Sequence, residues 1–366
     1  LMEGFSYHIL SEKGEMMSDG LKVPDKADGM ASFQGKNGKI ILIRNHEIGY
    51  FKTIENLLDA NSFYKNEKYL EKYRSFIYDQ GANGIPCCGG TTTMIYNPIS
   101  KKIETEYLSL AGTLINCSGG LTPWNTWISC EETVELKGGY CAKDHGYNFE
   151  VIPSEKIQLN KAAPLKAMGR FRHEAIAIDP DTSIAYQTED REDGLFYRYI
   201  PNVADSLKKG GRLQGLSLAD YRGMDCTNWK NDFFKVGEKH RIRWIDINEV
   251  DSKDDDIRFR GRNKGCAFFA RGEGLWYAGD YVYFTSTNGG RNKLGQIWRY
   301  RHIGKRNIAG ELELYFESKS KDILRFPDNI TVSPWGDLIL SEDGKGHDRL
   351  VGIKPSGQYY YLAKNI

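Results

Sequence analysis

The chain lacks a charge imbalance: 50 Lys and Arg offset 49 Asp and Glu over 366 residues. Bulk charge therefore gives no reason to expect nucleic acid or an anionic membrane as partner. It also lacks any run of 18 apolar residues, so no transmembrane helix is readable. There is no secretory leader, but the chain opens on Leu1 and not on Met, as a trimmed form would, so the missing leader says little about compartment. No CxxC zinc pattern, GxSxG elbow or HExxH occurs. The seven cysteines (87, 88, 117, 130, 141, 226 and 266) are odd in number, so at least one thiol is unpaired or used for chemistry. The Gly-rich "STNGGRNK" (286–293) lacks P-loop spacing and reads as a hairpin turn. The vicinal pair Cys87–Cys88 has no readable role.

What is present is β sequence. Thirty-nine glycines punctuate short aromatic and β-branched runs, as in an all-β protein. Residues 53–80 break the pattern and predict a helical insertion. Residues 203–240 are polar and irregular and read as a second insertion or a decayed repeat.

The chain repeats itself. "TPWNTWISCEE" (122–132) aligns without a gap on "SPWGDLILSED" (333–343). Further copies are "DPDTSIAYQTED" (179–190), "AGDYVYFTSTN" (278–288) and "GKNGKIILIRNHE" (35–47). Each is a turn followed by a strand with a polar end. A strand opened by a charged residue precedes several of them: Asp28, Glu174, Glu273 and Asp328. One strand leaves a face and the next returns to it, so both polar ends meet at one end of each hairpin. Five such units predict a β-propeller of six blades, one degenerate, in a single domain over 1–366. A β-sandwich with acidic turns is the alternative.

In a propeller one mouth would collect Asp28, His46, Glu47, Cys130, Glu131, Glu132, His173, Glu174, Glu189, Asp190, Glu273, Asp328, Asn329, Glu342 and Asp343. That many carboxylates need cations, and oxygen donors suit calcium. Cys130 between strand and glutamates adds a soft donor that suits iron, zinc or copper. Arg172 and Arg271 each stand two residues before a glutamate, on the same strand face, where a guanidinium could meet a phosphate or carboxylate. The plain alternative is that these groups are solvated or pair with Arg172, Arg191, Arg271 and Arg291. A Cys130–His173 protease is disfavoured, because carboxylates beside a thiol oppose its ionisation.

The stretches "NHE" (45–47), "GGTTT" (89–93), "GGLTPWNTWISCEE" (119–132), "LKAMGRFRHEA" (165–175), "TEDREDGLFYRYIP" (188–201), "FFARGEGLWY" (268–277), "GQIWRY" (295–300) and "PDNITVSPWGDLILSEDG" (327–344) resemble the PhoX-like alkaline phosphatases, in order and along nearly the whole chain, and fit a shorter branch of them. The resemblance implies a propeller, export to the periplasm, outer membrane or exterior, and a cofactor of two Fe3+ and about three Ca2+. It implies hydrolysis of small phosphomonoesters. By motif, Cys130 would bind iron. Glu131, Glu174, Glu273 and Asp328 would be metal ligands, with Glu47, Glu132, Glu189, Asp190 and Glu342 as further candidates. Arg271 and Glu273 would be catalytic, and Arg271, Asn45 and Arg172 would contact substrate. A calcium-only lactonase or arylesterase and a non-catalytic metal-binding propeller are the rival readings.

Overall fold

The computed structural model describes residues 1–49, 66–82, 84–303 and 309–365. The protein is mostly β, and the chain divides into two compact units. The N-terminal unit comprises His8–Lys166 and Arg170–His173. The C-terminal unit comprises Glu174–Ile366, with Leu1–Tyr7 and Ala167–Gly169.

The N-terminal unit holds two antiparallel meanders. The first is β1 (Ala27–Gln34), β2 (Ile40–His46), β3 (Gly89–Asn97) and β4 (Lys102–Thr113). The second has three strands, β5 (Asn116–Leu121), β6 (Trp127–Glu131) and β7 (Asn148–Val151). Ile43, Ile95, Leu110, Trp127 and Phe149 form a core in this unit. The predicted helical insertion appears as α1 (Glu67–Tyr73), with the Asn66 side chain accepting from the Tyr69 N–H as N-cap. Its first part, 53–65, lies outside the described residues.

The C-terminal unit holds three meanders. They are β8 (His173–Ile178), β9 (Ala185–Glu189), β10 (Phe196–Pro201), β11 (Gly211–Leu218) and β12 (Lys239–Ile247); then, after helix α2 (Ile257–Lys264), β13 (Gly272–Ala278), β14 (Tyr281–Ser286), β15 (Gln296–Ile303) and β16 (Ala309–Glu317); then β17 (Pro327–Val332), β18 (Leu338–Glu342), β19 (Arg349–Ile353) and β20 (Tyr359–Lys364). Pairing of β12 with β16 fuses the first two into one nine-stranded sheet. Residues 203–240 are thus not an irregular insertion throughout: β11 within them is a regular strand, paired on both sides. Its alternation is masked because Leu213, Leu216 and Leu218 are buried together with Gln214 and Ser217. Five meanders are described where six blades are expected.

The repeated turns have one local cause. Before β6, the Thr122 hydroxyl accepts from the Thr126 N–H at 2.8 Å. Before β18, the Ser333 hydroxyl accepts from the Asp337 N–H at 2.9 Å. The fourth turn residue is left-handed in both, Asn125 at φ 66° and Gly336 at φ 92°. The gapless alignment is therefore the signature of one hairpin turn used twice.

Candidate metal and phosphate site

The first strand of each meander opens in the same way. Its second residue is Asp28 in β1, Cys117 in β5, Glu174 in β8, Glu273 in β13 and Asp328 in β17. In four of the five the register slips directly around that residue, between Ala27 and Met30, Asn116 and Gly119, Gly272 and Leu275, and Pro327 and Ile330. Such bulges re-aim a side chain away from the pleat. The next residue is glycine in β1 and β13, where first strands touch: a Cβ on Gly29 would lie 2.7 Å from the Ser118 Cα, and one on Gly274 2.6 Å from the Asn329 Cα.

In the C-terminal unit this device gathers three carboxylates. One oxygen each of Glu174, Glu273 and Asp328 lies within 4.8 Å of the others. Glu174 and Glu273 are buried and Asp328 is half-buried. Arg271 stands at their side in a left-handed conformation, φ 51°, which costs energy for a residue with a Cβ. Its backbone is clamped by Arg191 O and by the Thr287 N–H. Its guanidinium donates from Nε and Nη2 to the two oxygens of Asp190, at 2.7 and 2.9 Å, and from Nη2 to Glu273 at 2.5 Å. The Arg271 side chain stays 37% exposed, so it remains open to a ligand. Asp190, expected among the metal ligands, braces this arginine by two parallel bonds.

In the N-terminal unit Cys117 occupies the same strand position. Its sulfur and a Glu132 carboxylate oxygen lie within 4.8 Å of one another. Glu132 also receives Arg172, through both its carboxylate and its carbonyl. Arg172, expected on substrate, is engaged in that ion pair. Sequence reasoning missed Cys117. The signal was available: "NCSGGL" aligns on "GEGLWY" and "PDNITV" with Cys117 in the ligand position.

Several other expected ligands have well-defined protein partners. Cys130 is fully buried, and burial pushes its thiol pKa up. It belongs to none of the ligand clusters among the described residues, and it faces away from Glu131 because neighbours on a strand point to opposite sides. Glu131 accepts from the Leu114 N–H and His145 Nδ1 on one oxygen, and from the Gly146 and Tyr147 N–H groups on the other. Glu342 accepts from Arg325 N and from Arg349 N, Nε and Nη2. Glu189 accepts from Tyr197 Oη and the Leu195 N–H, with Arg258 3.7 Å away. Burial raises its pKa to about 7 against these partners. These three carboxylates, expected as metal ligands, are tied to strands and loops of the fold. Asn45, expected on substrate, is fully buried: it donates to Cys117 O and Ser118 O and accepts from Trp127 Nε1 and Ser129 Oγ, so its amide is saturated. Glu47 follows β2, half-buried, and its N–H donates to Lys26 O.

The alkaline phosphatase PhoX family model matches residues 1–366. No curated protein sequence matches the chain. Among solved structures, Pseudomonas fluorescens PhoX in complex with vanadate, a transition state analogue, superposes with TM-score 0.66 at 16% identity, over 98% of this chain and 86% of that one. That likeness is one of fold. A putative 6-phosphogluconolactonase from Bacteroides uniformis scores 0.38 at 8% identity over 95% and 86% of the two chains. The calcium structure of a Trichoderma reesei carbohydrate-active enzyme of family AA12 scores 0.39 at 11% over 93% and 97%. The chain belongs to the alkaline phosphatase PhoX family and is a phosphoric ester hydrolase.

Proposed function

We propose that the chain is a metal-dependent phosphomonoesterase acting on small phosphoesters, with its reaction centred on the carboxylates at the starts of the first strands. The observation that carries this reading is the convergence of Glu174, Glu273 and Asp328 beside a braced Arg271. Three carboxylates so close repel one another unless a cation joins them, and all-oxygen donors fit calcium. In the N-terminal unit the sulfur of Cys117 beside Glu132 fits iron, and it replaces Cys130 in that role. The resemblance drawn from the sequence supplies the ion set, two Fe3+ and about three Ca2+, a six-bladed propeller in a single domain, and export. All of these belong to the proposal.

When bound, such cations supply charge neutralisation and Lewis acidity at the ester oxygens. The chain's own residues do the rest. Asp190 holds the Arg271 guanidinium by two parallel bonds, which fixes its plane before a substrate arrives. Arg271 then offers donors to the equatorial oxygens, whose charge spreads as the phosphoryl group transfers. Glu273 orients Arg271 from the other side while serving the metal cluster. Vanadate in the Pseudomonas fluorescens structure is named as a transition state analogue, which supports phosphoryl chemistry for the shared fold.

The test is hydrolysis of an aryl phosphate before and after chelation, with an aryl acetate and a lactone as controls. The proposal expects phosphate release that chelation abolishes and that calcium with iron restores. Lactone or acetate turnover without phosphate release would contradict it.

A further inference from the structure

A second cluster of ligand-type side chains lies in the N-terminal unit, away from the starts of the first strands. Asp79, Cys87, Cys141 and His145 each offer an atom within 4.8 Å of the rest, and all four residues are buried. No disulfide joins the two sulfurs, which are 3.9 Å apart. Cys87 Sγ lies 3.7 Å from His145 Nε2, and His145 Nε2 lies 3.1 Å from Asp79 Oδ2.

These three separations are close to the corresponding edges of a tetrahedron drawn around one ion, and the other three lie within 4.8 Å. Zinc bonds of about 2.3 Å to sulfur and about 2.0–2.1 Å to nitrogen or oxygen give edges of roughly 3.8 Å between sulfurs, 3.6 Å between sulfur and nitrogen, and 3.3 Å between nitrogen and oxygen. The second layer of groups is also in place. His145 Nδ1 is bonded to the Glu131 carboxylate at 2.7 Å, the arrangement that fixes the tautomer leaving Nε2 to a metal. Asp79 is oriented by the N–H groups of Gly81, Ala142 and Lys143. Glu131 is in turn fixed by the Gly146 and Tyr147 N–H groups, so the loops carrying the four donors are tied to β6.

We propose that Asp79, Cys87, Cys141 and His145 form a closed, four-coordinate structural site for zinc, separate from the phosphatase cations. Two thiolates with one imidazole and one carboxylate select zinc by softness and by tetrahedral shape, and they leave no open position for a substrate. A disulfide would use the two sulfurs and leave the convergence of His145 and Asp79 without a reason. Holding residues 79–87 to residues 141–145 closes a loop of the unfolded chain, so the ion stabilises the N-terminal unit.

The experiment is zinc-edge X-ray absorption and elemental analysis of the full chain, purified and incubated with zinc and then freed of loose metal. The expected result is one zinc per chain with two sulfur neighbours at about 2.3 Å and two nitrogen or oxygen neighbours at about 2.0–2.1 Å. Cys141→Ser and, independently, His145→Ala are expected to retain at least tenfold less zinc, while Glu273→Gln retains it in full. The wild-type spectrum stands even where a variant fails to fold. An all-oxygen shell, no retained zinc together with a Cys87–Cys141 disulfide in non-reducing peptide maps, or iron in place of zinc would each overturn the proposal.

Discussion

The carboxylates at the starts of the first strands and those at the ends of the second strands are near neighbours with opposite fates. Asn116 pairs with Glu131 and Pro327 with Glu342, one residue away from Cys117 and Asp328 respectively. Yet Glu131, Glu189 and Glu342 are turned into the meanders and bound to backbone N–H groups, a tyrosine or arginines. Glu174, Glu273 and Asp328 instead face one another. Proximity to a strand end does not by itself bring a carboxylate into a cluster. At Glu273 and Asp328 a bulge re-aims the second residue of the first strand, while Glu174 reaches the same cluster from β8.

Five substitutions would break or sharpen this contrast. Glu342→Gln should have the largest effect on the fold, because it strips the charge partner of the Arg349 guanidinium. A loss of about 3–5 kcal/mol is expected on breaking such a buried pair, read as a lower denaturant midpoint, with the metal content of the folded fraction unchanged. Arg271→Ala should lower kcat for an aryl phosphate by about 10²–10³-fold, the usual loss for one donor to the transition state, and circular dichroism should be unaltered. Cys117→Ser should lower iron content severalfold, whereas Cys130→Ser should leave it alone, which separates two cysteines that motif matching cannot.

Glu189→Gln gives the smallest effect and a pH signature. Burial raises the folded pKa of Glu189 to about 7, above its ordinary 4.5. The folded chain therefore keeps this proton where the unfolded chain has lost it, so this group's contribution is present at low pH and is lost as pH rises through about 4.5 to 7. The variant should flatten that decline in a melting-temperature series over the same window.

Much of the fold was legible because turn chemistry repeats: Thr122 and Ser333, Asn125 and Gly336 perform the same acts in the same order. The first-strand acids Glu174, Glu273 and Asp328 were legible from the position they share. Cys117 holds that position too, but the eye follows carboxylates, and Cys130 beside two glutamates was the louder signal. The uses of Glu131, Glu189, Glu342 and Asn45 were not legible. Their partners lie in loops and strands that only folding brings near, such as His145 for Glu131 and Trp127 for Asn45. The Asp79–Cys87–Cys141–His145 set was hidden for the same reason: Cys141 and His145 stand four apart, but Asp79 and Cys87 lie more than 50 positions before them.

The most direct test of the central claim is to measure metal content and aryl phosphate hydrolysis together on Glu273→Gln, with wild type beside it. The prediction is a folded protein that has lost calcium and hydrolyses at least about 10²-fold more slowly. A folded Glu273→Gln protein with wild-type turnover and a full metal complement would contradict a reaction centre built on the first-strand carboxylates.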